Sequence, residues 1–395
     1  MAGFGDKKRE LSDGSKKALS VYGEAPIQTR SAVREIYGQF AAANSISAKD
    51  IAEFIKKKEN AGRKLRGILP VLTGGIDAKT LPVLHGKASV KNFRKNTEAV
   101  LAGDYASFKK NGGKWAVLSP AGRFDLPSQM ALACLGLPWE IKRRLIVSIN
   151  QPLSKIVSEL GEYAPAALVG YPSVLLHLAN EAAEGRLKIT PVAIVCWGEV
   201  LRAQEEAAIV AAFNCKVIDV YMSAEGAMAK KCGHGSFHAL NGCTIDIGEA
   251  GEILLNNGVN TAFPLMRYDT GDVGESVGVC PCGQSGGFRL LGRRSDYLTF
   301  GERIVPPDAL IGAMDALAEK GVERYQIKQA DENTLAIHLL CPADERFALF
   351  RQCMGAVESA LAGLGIDGVR IALGGDAPAA HKRSGRFRRI TGGLV

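Results

Sequence analysis

Lys216-Val-Ile-Asp-Val220-Tyr-Met-Ser-Ala-Glu225-Gly226 marks a change of texture along the chain. It opens as a β-branched strand pattern and ends in a small-residue turn bearing one carboxylate. On its N-terminal side strands and helices alternate. Strand patterns fall at residues 116–118, 145–148, 167–169, 192–196 and 216–220, and helical patterns at 153–160, 173–183 and 203–213. Such alternation predicts a layered α/β domain with parallel strands. On its C-terminal side the chain turns to short, glycine-rich β segments as far as residue 291. Beyond 296 a smaller α+β unit is expected: helices at 307–320 and 344–361, and strands at 324–329, 334–340 and 369–373. Residues 376–395, rich in Gly, Ala and Arg, read as loop. At the front, helices are expected at 32–43 and 48–65 and a strand at 68–72. The organisation expected is a flexible lead at 1–20, a large α/β domain with a β-rich subdomain at 21–295, and a small mobile unit at 296–395.

The chain has 395 residues, enough for two or three domains with sizeable cores. Its 47% hydrophobic and 23% charged residues are ordinary for a globular protein. No apolar run is long enough to span a bilayer. Residues 1–17 are polar, with no apolar segment of signal-peptide type, so a cytoplasmic protein is expected. Nine cysteines in such a chain are thiols or metal ligands, not a disulfide frame. The net charge of +8 suits nucleic acid, an anionic membrane, a phosphate-bearing ligand, or a solvated face with no partner. Without a zinc-finger array, an aromatic-basic RNA-binding pattern or an internal repeat, no nucleic-acid partner is expected.

Further motifs keep a fixed order. Gly251-Glu-Ile-Leu-Leu255 follows the Glu225 turn, then Arg267-Tyr-Asp-Thr-Gly-Asp272, then Gly292-Arg293-Arg-Ser295-Asp296. Upstream stand Pro152-Leu-Ser-Lys-Ile-Val-Ser-Glu-Leu160, Gly170-Tyr171-Pro172-Ser-Val-Leu-Leu-His-Leu178 and Gly198-Glu199. This series resembles the adenylate-forming ligases. It is most similar to the phenylacetate–coenzyme A ligase-like branch, which also holds capsular polysaccharide biosynthesis and acyl-protein synthetase relatives. The likeness runs over about residues 115–390 and is strongest over 150–310.

The resemblance implies the adenylate-forming ligase fold and an ATP- and Mg²⁺-dependent activation of a small aryl or acyl carboxylic acid. Coenzyme A or a carrier protein would be the thiol acceptor, and a homodimer is among the assemblies it allows. It implies that Glu225 holds Mg²⁺, a hard cation wanting oxygen ligands. Asp272, an acceptor-only carboxylate, would take the ribose hydroxyls. Arg293 would sit near ribose and phosphate. Gly198, Glu199, Tyr221 and Ser223 would flank the nucleotide, and Tyr171, Pro172 and Met222 the acid. Ser295 and Asp296 fall at the hinge of a small lid domain. Taken singly, each reads as an ordinary loop residue.

Several positions depart from the family pattern. The phosphate-loop equivalent, Thr73-Gly74-Gly75-Ile76-Asp77-Ala78-Lys79-Thr80, keeps Thr73, Gly75 and Lys79. It loses the central hydroxyls to Ile76 and Asp77, so an ordinary surface turn fits it equally well. Ser295 stands where the family has its first hinge Asp, and Met222 where it often has Gly. In Lys382-Arg-Ser-Gly-Arg386-Phe-Arg-Arg-Ile390 an arginine takes the place of the catalytic lysine that follows Ser-Gly. Charge is kept, but a planar fork replaces a point charge. These losses keep two other readings open: an ATP-independent acyltransferase on the same scaffold, and a catalytically silent nucleotide- or partner-binding homologue.

Cys280-Pro-Cys282, with Cys232, His234, His238 and Cys243 upstream, suits tetrahedral Zn²⁺. The resemblance selects Cys232, His238, Cys280 and Cys282, with His234 and Cys243 in reserve. Four protein ligands would make it a structural site; reduced cysteines in a β turn are the alternative. Cys134, Cys196, Cys215, Cys341 and Cys353 lie in apolar segments and read as core.

Overall fold

The structure is a computed structural model that describes residues 48–57, 63–72, 82–101, 103–120, 125–133, 143–317, 321–381 and 385–392. The lead, the helix expected at 32–43, Thr73, Gly75, Lys79, Cys134 and Lys382 lie outside these residues. Among the described residues no helix is long and apolar enough to cross a membrane.

The N-terminal elements are α1 (Ala48–Lys56), β1 (Leu69–Leu72), β2 (Pro82–His85), α2 (Lys87–Val100) and α3 (Tyr105–Lys110). Helix α1 ends well short of residue 65. There Leu65 and Ile68 exchange backbone hydrogen bonds across Arg66 and Gly67, both at positive φ, which makes a tight reverse turn instead. Helix α2 has no counterpart among the expected elements. Its buried residues are only Val90, Asn96 and Val100, too few for a clear 3.6-residue period.

Next come β3 (Trp115–Ser119), α4 (Leu126–Ala133), β4 (Arg144–Ser148), α5 (Leu153–Tyr163), β5 (Ala167–Gly170), α6 (Pro172–Ala183), β6 (Ala193–Trp197), α7 (Ala203–Phe213) and β7 (Lys216–Met222). Strands β4, β3, β5, β6 and β7 lie side by side and parallel. Parallel neighbours need long crossovers, which these helices supply. One face of the strands carries Trp115, Val117, Val169, Val195, Trp197 and Val220, packed with Val90, Val100, Phe108 and Met130. The other carries Ala116, Leu118, Leu168, Ile194 and Cys196, packed with Ile156, Leu175 and Ile209. Burial on both faces explains the near-continuous apolar runs.

After Glu225 the connections shorten and the pairing becomes antiparallel. Strands β8 (Met228–Lys231), β9 (Phe237–Ala239), β10 (Thr244–Ile247), β11 (Glu252–Asn256), β12 (Tyr268–Val279) and β13 (Ser285–Arg293) extend the same sheet to eleven strands. Their core holds Tyr221, Phe237, Ile253, Leu255, Phe263 and Phe288, with Phe237 stacked on Phe288 at 5.6 Å between ring centroids.

A 3₁₀ turn (Arg294–Asp296) leads to the hairpin β14 (Leu298–Phe300) and β15 (Arg303–Val305), then α8 (Pro307–Asp315), β16 (Arg324–Asp331), β17 (Thr334–Leu340), α9 (Arg346–Gly363) and β18 (Arg370–Leu373). This part has its own core around Leu310, Ile327, Ile337 and Val357. The segment read as loop ends in a short strand, β19 (Ile390–Thr391), which pairs parallel to β16. Two residues are too few to leave a period in the sequence. The mixed α/β architecture expected from the alternation is what the chain adopts.

His85, at the end of β2, is fully buried. Its Nε2 lies 2.8 Å from the Ala224 carbonyl, which can only accept, so Nε2 carries the proton. Nδ1 then accepts from the Ser89 hydroxyl at 2.8 Å. Burial lowers its pKa from 6.5 to about 4. Between these values the unfolded chain binds a proton that the native state refuses, so this group costs stability as pH falls from 6.5 toward 4. By linkage the cost over that window is about 3 kcal/mol. Urea titrations at pH 7 and pH 4.5 should therefore show a larger acid loss for wild type than for His85→Gln; equal losses would contradict the buried neutral imidazole.

Candidate functional site

The C-terminal ends of the parallel strands open onto a cavity of about 700 Å³. Crevices at this edge of an α/β sheet are where ligands commonly sit. Its wall comprises the loop after β6, the end of β7 with the Glu225 turn, the start of β12, the end of β13 with the 3₁₀ turn, and residues 386–390. Gly198, Glu199, Tyr221, Met222, Ser223, Glu225, Asp272, Arg293, Ser295, Asp296 and Arg386, widely separated in sequence, all line it.

The Glu225 turn is held from behind. His85 binds the Ala224 carbonyl, and the Asn257 amide donates to the Glu225 carbonyl at 2.5 Å. The Tyr268 hydroxyl donates to the Glu225 carboxylate at 3.3 Å. Asp272 and Arg293 are cross-strand partners on β12 and β13. Tyr221 donates to one Asp272 oxygen at 2.9 Å, and Arg293 approaches the other at 3.6 Å. Burial, reinforced by the Asp272 charge, pushes the Tyr221 phenol well above its usual range, so it stays a donor. Asp269 takes a two-pronged contact from Arg294 at 2.9 and 3.1 Å.

Gly198 has φ +77°, and a Cβ there would lie 2.7 Å from the Tyr171 ring. Both reasons restrict the position to glycine. Glu199 is engaged at both oxygens. It accepts from the Ser173 N–H in the first turn of α6 at 3.1 Å and from the Phe387 N–H at 2.7 Å. Burial raises its pKa. Tyr171 and Pro172 are buried and do not line the cavity. Tyr171 packs against Trp197 with the rings tilted by 42° and their centroids 4.8 Å apart. The Arg386 guanidinium lies 5.8 and 5.9 Å from these two ring centroids, within cation–π range. Burial lifts the Tyr171 phenol to about 12, and the Arg386 charge opposes part of the rise.

The residues after Arg386 also bind the large part of the molecule. Arg388 donates to the Ser295 carbonyl at 2.8 Å and pairs with Asp296. Arg389 pairs with buried Glu205 at 2.7 Å, and Arg202 pairs with Asp315 of α8. His85, Trp197, Glu205, Asn257 and Tyr268 are site residues that sequence reasoning missed. The only signal was the asparagine-rich run 256–260: Asn256, Asn257 and Asn260 bind the backbone of Arg267, Glu225 and Leu84.

A second cluster lies beyond the cavity, on the turns after β8 and β12 and on β9. The ligand atoms of Cys232, His238, Cys280 and Cys282 all lie within 4.8 Å of one another. Cys232 Sγ and Cys280 Sγ are 3.6 Å apart, and Cys282 Sγ is 3.2 Å from His238 Nε2. Zinc–sulfur bonds of about 2.3 Å in a tetrahedron imply sulfur spacings near this value. His238 Nδ1 is buried without a hydrogen-bond partner. A Cβ on Gly287 would lie 2.8 Å from the His238 ring, so that glycine lets the imidazole in. Led by the Cys282 backbone N–H, hydrogen bonds lower the Cys280 thiol to about 6. The donor set of three sulfurs and one imidazole could hold a tetrahedral soft-to-borderline metal. Of the reserve ligands, His234 is exposed on the turn, and the Cys243 thiol points to the Met228 and Leu240 carbonyls. Cys196 and Cys353 are buried as expected, whereas Cys215 and Cys341 are half-buried.

No protein-family model matches the chain. A curated relative, Protein CapK of Staphylococcus aureus, is 24% identical over 235 residues, covering 53% of this chain and 52% of that protein. The chain thus aligns with about half the length of that relative. Among solved structures, 2-hydroxyisobutyryl-CoA ligase in the postadenylation state superposes with a TM-score of 0.60 at 16% identity, covering 93% of this chain and 80% of that one. The ATP-bound RpMatB-BxBclM chimera gives 0.54 at 16% identity, covering 82% and 66%. O-succinylbenzoate coenzyme A synthetase (MenE) of Bacillus subtilis with AMP gives 0.51 at 14%, covering 82% and 70%. The chain has the adenylate-forming ligase fold of these structures.

Removing the Glu199 carboxylate would strand two N–H groups, those of Ser173 and Phe387. Glu199→Ala should cost about 2–4 kcal/mol, and Glu199→Gln, which keeps one acceptor oxygen, about half of that. Urea denaturation midpoints compare them; an unchanged midpoint for Glu199→Ala would show that the clamp carries no load.

Proposed function

We propose that the protein is an AMP-forming ligase that activates a small carboxylic acid and passes it to a thiol. The observation that carries this reading is the single cavity in which Glu225, Asp272, Arg293 and Arg386 meet. In the first half-reaction a carboxylate oxygen attacks the α-phosphorus of ATP, pyrophosphate leaves, and an acyl-adenylate forms. In the second, a thiol of coenzyme A or a carrier protein attacks the acyl carbon and AMP leaves. Little covalent help is needed; positioning and charge neutralisation do most of the work.

Asp272, steadied by Tyr221 and Arg293, would accept from the ribose hydroxyls. Arg386 would offer its donor fork to the α-phosphate and the attacking carboxylate, a bidentate geometry that suits two oxygens. Its platform of Tyr171 and Trp197 would orient the fork. Glu225 has the oxygen chemistry for a magnesium ligand, and Mg²⁺, when bound, would supply charge neutralisation on the phosphate oxygens. Residues 296–395 would act as a lid turning about Ser295 and Asp296, releasing Arg388 as it moves. Cys232, His238, Cys280 and Cys282 would hold a structural zinc, since all four positions are protein atoms and none is left for chemistry.

ATP–pyrophosphate exchange across a panel of aryl and aliphatic acids tests the first half-reaction. One group of acids should support exchange, and Asp272→Ala and Arg386→Ala should each lower it at least about 100-fold. Absence of exchange with every acid would overturn the ligase reading. For the metal, elemental analysis of purified protein should find one zinc per chain, lost in Cys232→Ser with a lower melting temperature. Protein that carries no zinc and melts unchanged with chelator would remove the zinc.

A further inference from the structure

His177, on the exposed side of α6, meets the C-terminal unit at Arg324, the first residue of β16. A guanidinium has donors and no acceptor, so His177 Nε2 accepts from Arg324 and Nδ1 carries the imidazole proton. The pair can therefore form only while the imidazole is neutral. The same guanidinium lies 4.9 Å from the ring centroid of Phe387, within cation–π range. Phe387 directly follows Arg386 and donates its N–H to Glu199 at 2.7 Å. A chain of contacts thus runs from His177 through Arg324 to the neighbour of Arg386. Charged groups surround the pair on both sides. Glu181, one turn further along α6, favours a charged imidazole, but Arg186 holds it in a two-pronged contact at 2.6 and 2.7 Å. Across the contact, Arg389 adds a second positive charge near Arg324, and Glu199 adds a negative one. Partial burial, then the Arg324 charge, lowers the His177 pKa.

We propose that His177 is a positioning residue for Arg386: its neutral imidazole latches the C-terminal unit onto α6, and its protonation opens the latch. The consequence for catalysis rests on the ligase reading; the latch itself does not. An imidazole away from Arg324 titrates near 6.5. Docking therefore expels a proton, and the docked arrangement loses stability as pH falls from about 6.5 toward the lower docked value. Protonation removes the acceptor and sets two cations face to face. Arg324 then leaves α6, the Phe387 ring loses its cation, and Arg386 is held less firmly over Tyr171 and Trp197. Histidine is suited to such a switch because a modest change of surroundings moves its charge across the physiological range. The half-reaction that needs Arg386 should slow on the acid side.

Amide hydrogen exchange, followed by mass spectrometry on peptides covering residues 386–390, reads the latch without turnover. Corrected for intrinsic rates, protection of this segment in wild type should fall at least about fivefold between pH 7.5 and pH 5.5, the low end of ordinary coupling between two sites. His177→Gln puts a neutral acceptor oxygen near the Nε2 position and cannot titrate, so its protection should change by less than about twofold. His177→Lys, charged at both pH values, should give low protection at both. Glu199, whose pKa burial raises, also binds Phe387, and it is unchanged in these variants. An acid-side fall of the same size in His177→Gln would therefore assign the response to another group and overturn the proposal. Full protection in His177→Lys would overturn it too. Pyrophosphate exchange, with any acid that supports it, should lose rate between pH 7.5 and pH 5.5 more steeply in wild type than in His177→Gln. If no acid supports exchange, the ligase reading fails while hydrogen exchange still decides the latch.

Discussion

A half-buried hydrogen bond from Tyr221 to Asp272 joins two halves of the sheet that are built on different rules. Tyr221 closes the parallel series, in which every neighbour is reached through a helix. Asp272 belongs to the antiparallel series, in which neighbours are reached through turns. The two strands are not adjacent: β8, β9 and β13 lie between them in the sheet. The bond therefore ties the end of β7, which leads into the Glu225 turn, to the β12 residue that faces Arg293 across the strand pair. A neutral donor on a carboxylate is worth more than an ordinary hydrogen bond. The raised phenol pKa ensures that the donor is never lost in the physiological range.

The turn bearing Glu225 closes on itself through hydrogen bonds from the Gly226 N–H to the Ser223 carbonyl and from the Ser223 N–H to the Ala227 carbonyl, with Gly226 at φ +101°. It is held from outside as well, by His85 and Asn257, which bind its carbonyls from β2 and from the loop after β11. Both of these side chains are enclosed by protein. The site is thus rigid on its β side. Its other wall, residues 386–390, is held by side-chain and single backbone contacts.

The parallel half of the sheet was legible because each strand is a continuous apolar run bounded by turn residues, as Ala193–Trp197 illustrates. Strands β16 and β17 were legible for a different reason, alternation: Tyr325 and Ile327, then Leu335, Ile337 and Leu339, are buried at every second position. Helix α2 was not, since its contacts are made by polar groups such as Asn92 and Asn96 on the Asn241 carbonyl, and these leave no period. In the site, Glu225, Asp272, Arg293 and Arg386 stood out through ordered motifs. Their supports did not: a lone His85 or Asn257 looks like any polar residue until the chain brings a carbonyl to it. Glu199 was read as a nucleotide neighbour; it lies on the cavity wall, and its two protein partners could not be anticipated from Gly198-Glu199.

The segment from Arg386 to Arg389 meets different partners at successive residues: an aromatic pair, a carboxylate, the 3₁₀ turn and a buried glutamate. In extended chain neighbouring side chains point opposite ways, and the pairing of Ile390 with Ile327 anchors the following strand. A single inserted or deleted residue before Ile390 would turn every side chain onto the wrong partner at once. This short stretch should therefore accept changes of side chain far more readily than changes of length.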